Sequence, residues 1–183
     1  MIIIKNFPVI KQKTSRTCSL AVLRMLYNYF KGADIFEEDI AKNFFLDRII
    51  HPRSFFQRYF YQLFPEYQIQ KKENISHTDM FTILENQLHQ NLPVPFINTA
   101  EFIKNQKKFG ILHFALIIGI DREKEIVYIA DPNPNDQRNI ISFSELFDRM
   151  AFSLYQDKRF FANLAIKLGF LKKNTIFEIK NKN

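Results

Sequence analysis

One cysteine, four glycines and no tryptophan occur among the 183 residues. A single thiol cannot close an internal disulfide, so folding does not depend on oxidation and a reducing compartment suits the chain. One Cys and four widely separated His also argue against a structural zinc site. No GxxxxGK[ST] loop occurs, which leaves no P-loop, and the expected set of cofactors and metals is empty. The start, MIIIKNFPVIKQK, lacks a basic n-region, and its apolar run is too short for a secretory core. The longest apolar stretch elsewhere, FALIIGI at 114–120, is far too short to span a bilayer. These absences point to a cytoplasmic protein, with export by a leaderless route still compatible.

What the chain has in quantity is aromatic side chains, with 21 Phe and 7 Tyr in a composition that is 46% hydrophobic. That content fills one aromatic core, and no linker or repeat divides the chain, so residues 1–183 are expected to form a single domain. The net charge of +7 would suit an acidic partner. The basic residues are scattered, however, with local density only at IKNQKKF and in the tail KLGFLKKNTIFEIKNKN. A solvated basic surface is the expectation; nucleic acid is not an expected partner, while peripheral contact with an anionic membrane stays compatible.

Apolar spacing sets the expected elements. Residues 1–10 read as extended, with β-branched Ile2, Ile3 and Ile4 ahead of Pro8. Leu20, Leu23, Tyr27 and Phe30 recur at helical spacing, with Ser15 or Thr17 to cap the start near Cys18 and Gly32 just past the end. A second helix is expected from Asp34, as its cap, to about Phe45. A third carries Phe55, Phe56, Tyr59, Phe60, Leu63 and Phe64 on one face, and a fourth, from Thr78 to about Gln90, turns Met80, Ile83, Leu84 and Leu88 inward. Beyond residue 92 the texture is β: VPFIN, ILHFALIIGID, EIVYIAD and RNIISF, separated by the turns DREK and PNPNDQ. SELFDRM reads as a helix capped by Ser144, and residues 157–170 fit helix or strand equally. Helices first and antiparallel strands second make an α+β fold.

Cys18 falls in the first turn of its helix, where unpaired N–H groups and the helix dipole favour a thiolate. A lone cysteine is ordinarily a small buried apolar residue, so its neighbours decide. Gln12, six residues upstream in a looping segment, can return its amide beside the thiol and, with the Cys18 N–H, make a two-donor pocket for an oxyanion. His113 opens the most apolar strand and is the best placed of the histidines to act as a base. If DREK makes a hairpin, Asp131 at the end of EIVYIADP comes alongside His113 to orient it, with Asn133 or Asp136 as alternatives in another register. His51, His77 and His89 read as solvated, Asp121 as the start of a turn, and the Phe-rich face at 55–64 as core.

These residues resemble the papain-like cysteine peptidases that remove double-glycine leaders from bacteriocins. The nucleophile segment of that family has Gln, four residues, an acid, Cys, Gly and a helix with Leu, Met, Asn and Tyr. Gln12, Cys18, Leu23, Met25, Asn28 and Tyr29 match it. Its histidine segment has His, an apolar strand, Gly, a residue, Asp, a turn, a strand and Asp-Pro, matched by His113, Gly119, Asp121, Asp131 and Pro132. The resemblance covers about residues 8–32 and 110–150. It implies a papain-like fold, Cys18 as nucleophile, His113 as base, Asp131 as orienting acid, Gln12 as oxyanion donor, and a peptide or protein as substrate. Two positions depart from the pattern: Thr17 stands where the acid is usual and Ser19 where Gly is usual. No exporter helices or P-loop accompany the peptidase pattern, so a free-standing cysteine hydrolase of a peptide or amide bond is the expectation. Acyl transfer, transglutaminase-like or deamidase chemistry on the same thiol stays open, as does an inactive binding module. Oligomeric state is not legible.

Overall fold

The computed structural model describes residues 1–14, 17–41, 54–104, 107–134, 139–151 and 172–182. The far half of the helix expected to reach Phe45, His51, Asp136 and the ambiguous segment 157–170 lie outside the described residues. In chain order the elements are β1 (Ile2–Ile3), α1 (Cys18–Lys31), α2 (Glu37–Ala41), α3 (Ser54–Leu63), β2 (Tyr67–Lys72), α4 (His77–His89), β3 (Val94–Lys104), β4 (Lys107–Asp121), β5 (Ile126–Ala130), β6 (Ile140–Ser142), α5 (Phe143–Met150) and β7 (Ile176–Asn181). The strands form one antiparallel sheet in the order β2-β7-β3-β4-β5-β6, with β1 added to β4 beyond the start of β3. The mixed helical and antiparallel architecture is the α+β fold expected from the sequence.

Helix α1 forms because its apolar residues repeat at helical spacing, and Leu20, Leu23, Met25 and Leu26 are buried. It stops where Gly32 takes a left-handed conformation (φ 64°) and gives its N–H to the Asn28 carbonyl. Phe56 and Phe60 on α3, and Phe64 just beyond its end, are fully buried. Phe56 stacks on Phe114 of β4 at 4.9 Å and contacts Phe177 of β7 at 5.1 Å, so the Phe-rich face is core. Burying one such ring contributes about 1.5–3 kcal/mol, and Phe56 fastens α3 to the strand that carries His113.

Three local expectations are corrected. Asp34 does not cap the second helix: its carboxylate takes the Ile35 N–H and a two-point pair with Arg24, and α2 begins only at Glu37. Ser142, not Ser144, caps α5 by accepting the Glu145 N–H. His113 does not open its strand, which begins at Lys107. Strands β2 and β7 fall in segments that gave no strand signal. Their polar sequences, YQIQKK and IFEIKN, pair with each other over six residues at the sheet edge. The Asp121–Glu125 turn does join β4 and β5 as a hairpin, with the Lys124 N–H on the Asp121 carboxylate.

Gly119 matters for a steric reason. β1 lies so close that a Cβ at this position would sit 2.9 Å from Ile3 Cγ1 and 3.0 Å from the Ile2 carbonyl oxygen. Gly119→Ala is therefore expected to prise β1 off β4 and lower stability by about 1–3 kcal/mol, read as a lower melting temperature without a change of fold by circular dichroism.

Candidate active site

The site assembles where the start of α1 meets β4 and the turn after β5. Cys18 is the first residue of α1 and half-buried. Thr17 occupies the cap position without making a capping bond; its hydroxyl instead serves a tight turn with Thr14, donating to the Thr14 carbonyl and accepting the Thr14 N–H. No acid lies in the first turn of α1. The helix thus keeps first-turn N–H groups without a side-chain cap, the arrangement that favours a negative charge.

His113 and Asp131 are buried together, at 1% and 0% exposure. His113 Nε2 and Asp131 Oδ1 are 2.6 Å apart, and the same oxygen accepts the Asn133 N–H at 2.7 Å. Asp131 is thus held by its own turn, and the alternative partner Asn133 serves that turn through its backbone. With Nε2 given to the carboxylate, Nδ1 is the ring nitrogen left for the Cys18 thiol, and the two groups are near enough for each to shift the other's titration. Burial disfavours the imidazolium, but the charge and hydrogen bond of Asp131, helped by Cys18, outweigh it and raise the His113 pKa to about 10. For Cys18, burial pushes the thiol up. The hydrogen bond and charge of His113, with the N–H groups of Phe114 and Ser19, more than offset this and lower it overall. The pair is therefore biased toward thiolate and imidazolium at neutral pH.

Gln12 is also buried, and its segment is fastened to the Asp131 turn. Its N–H donates to the Pro132 carbonyl at 2.9 Å, and the Lys11 ammonium donates to the carbonyls of Asp131 and Asn133, each at 3.0 Å. The Gln12 side-chain NH₂ gives one hydrogen to the Thr14 carbonyl at 2.6 Å and keeps a second. All four residues singled out in the sequence thus reach one neighbourhood: Cys18 and His113 electrostatically coupled, His113 and Asp131 hydrogen-bonded, and Gln12 tied through the backbone to the Asp131 turn.

Other groups gave no signal. Lys11 reads as an ordinary surface lysine until the turn after β5 is folded against it. Glu37 of α2 is 2% exposed and lies near Thr17 and Lys13. Burial raises its pKa, and these neighbours only temper the rise. An acid is thus present in space beside position 17, where the local sequence lacks one.

The model of the peptidase C39-like family matches residues 4–154. The chain belongs to that family. Two solved structures share its fold. One is the peptidase domain of Streptococcus ComA, a bi-functional ABC transporter involved in a quorum-sensing pathway, with a TM-score of 0.58 and 12% identity over 97% of this chain and 100% of that one. The other is a double glycine motif protease from an AMS/PCAT transporter, solved with its leader peptide, with a TM-score of 0.55 and 14% identity over 100% of this chain and 99% of that one. No curated protein matches the sequence. Among the described residues of this C39-like chain, no helix is long and apolar enough to cross a membrane.

Proposed function

We propose that this C39-like protein is a cysteine peptidase in which Cys18 is the nucleophile, His113 the proton carrier, Asp131 its orienting carboxylate and Gln12 an oxyanion donor. The observation that carries this reading is the buried His113–Asp131 pair, 2.6 Å apart, with the Cys18 thiol at the start of α1 close enough to be electrostatically coupled to the imidazole. The Cys18 thiolate adds to a peptide carbonyl, forming the S–C bond and placing negative charge on oxygen. The second Gln12 amide hydrogen and the N–H groups at the start of α1 answer that charge. His113 passes its proton to the leaving amine as the C–N bond breaks, then takes one from the water that hydrolyses the thioester. A peptide substrate is supported by the family and by the leader peptide held in one of the structural neighbours.

Removing the side-chain donor tests the oxyanion assignment. Gln12→Ala is expected to lower kcat on the order of a hundredfold while leaving alkylation of Cys18 by iodoacetamide intact, because thiolate formation does not need the amide. A kcat within a few-fold of native would remove Gln12 from the mechanism. Mass spectrometry of the products in the presence of a primary amine separates hydrolysis, the expected result, from acyl transfer.

A further inference from the structure

Asn98 of β3 lies directly opposite His113 of β4 in the sheet register. Residues so opposed on antiparallel strands project to the same side with Cβ atoms about 4.5–5.5 Å apart, so the carboxamide emerges beside the imidazole. Asn98 is 1% exposed, and among the described residues its buried Oδ1 has no donor. Its neighbours two residues along the strand, Phe96 and Ala100, are apolar and equally buried. A polar group in such a row is costly unless something pairs with it. Among the described residues it caps no helix, and its partner across the ladder is the imidazole-bearing residue of the candidate site. A donor brought in from outside would account for it, and a peptide substrate carries one at every main-chain N–H.

We propose that Asn98 is a substrate-contacting residue, its carboxamide hydrogen-bonding the main chain of the bound peptide next to the scissile bond. This rests on the cysteine-peptidase reading and adds a contact that selects for peptide groups over small acyl compounds. It also predicts that the asparagine is retained for binding, since a side chain of similar size without polar atoms would suit the free protein at least as well.

The test compares two reagents that alkylate the same sulfur by displacing a halide. Acetyl-diglycyl chloromethyl ketone presents peptide groups to the cleft; iodoacetamide presents no peptide chain. Asn98→Leu is expected to lower the second-order rate constant for the peptidyl reagent about tenfold. The iodoacetamide rate, its pH midpoint and the melting temperature should stay at or above the native values. Asn98→Ala, which adds no bulk, repeats the comparison should the leucine protein fail to fold. An unchanged ratio between the two reagents overturns the proposal. A parallel loss with both, or a clear fall in melting temperature in both variants, also overturns it by assigning Asn98 a structural role. A native Cys18 that alkylates like an ordinary thiol, with a midpoint near about 8.5, is a different failure: it overturns the peptidase reading itself, and this contact with it.

Discussion

Cys18→Ala should abolish peptide turnover, reducing it by a factor on the order of 10⁴ or more, while the protein stays folded. The argument is chemical rather than structural. No sulfur means no acyl-enzyme, and the side chain is only half-buried at the surface of the core, so little packing is lost. Cys18→Ser separates the two contributions further: it keeps the shape but offers a hydroxyl that His113 cannot hold ionised as it holds a thiol, so it should be nearly as inactive. The chain's single cysteine makes the companion measurement unambiguous, because any thiol adduct is at Cys18. Its iodoacetamide rate should titrate with a midpoint below the ordinary thiol value of about 8.5, since His113 and the N–H groups of Phe114 and Ser19 together outweigh burial. Native turnover by the alanine variant on the same peptide would rule out Cys18 as nucleophile.

The parts legible beforehand were those governed by local spacing. Helices α1, α3 and α4 announce themselves because apolar residues recur every three or four positions, and the β4–β5 hairpin because a four-residue polar turn separates two β-branched runs. The hairpin was enough to bring Asp131 to His113, since pairing of Leu116 with Ala130 leaves the next residue alongside the start of the apolar half of β4. What stayed hidden depends on partners far away in sequence. β2 is a polar edge strand that pairs only with β7, more than a hundred residues away, and β7 is held in turn between β2 and β3. Lys11 and Asn98 gain meaning from the Asp131 turn and from the β3–β4 register, and neither can be read from a window around the residue itself. The cap of α5 was displaced by two residues, from Ser144 to Ser142, because both serines precede an apolar stretch and only the backbone decides which is extended.

Asp131→Asn should move the alkaline limit of activity further than any other change at the site. Asparagine keeps an oxygen where Oδ1 now accepts from His113 Nε2 at 2.6 Å and from the Asn133 N–H at 2.7 Å, so the geometry survives and the charge is lost. That charge is the largest influence holding His113 protonated against its burial, up to about 10. Without it His113 falls toward the ordinary value of about 6.5 or below, and at pH 9 the imidazolium needed to protonate the leaving amine drops by a few hundredfold. The rate profile should therefore lose its plateau between neutrality and pH 10, with the largest deficit at the alkaline end. Stability follows with a definite sign. In the native protein His113 has a raised pKa, so its contribution is complete below about 6.5, declines as pH rises, and is gone above about 10. Folding lowers the Cys18 pKa, which contributes with the opposite sign up to the ordinary thiol value of about 8.5, so the native melting temperature should fall mainly between about 8.5 and 10, and that of Asp131→Asn should not. An alkaline limb that stays near pH 10 in the variant would show that some other group sets the protonation of His113, and would detach Asp131 from the mechanism.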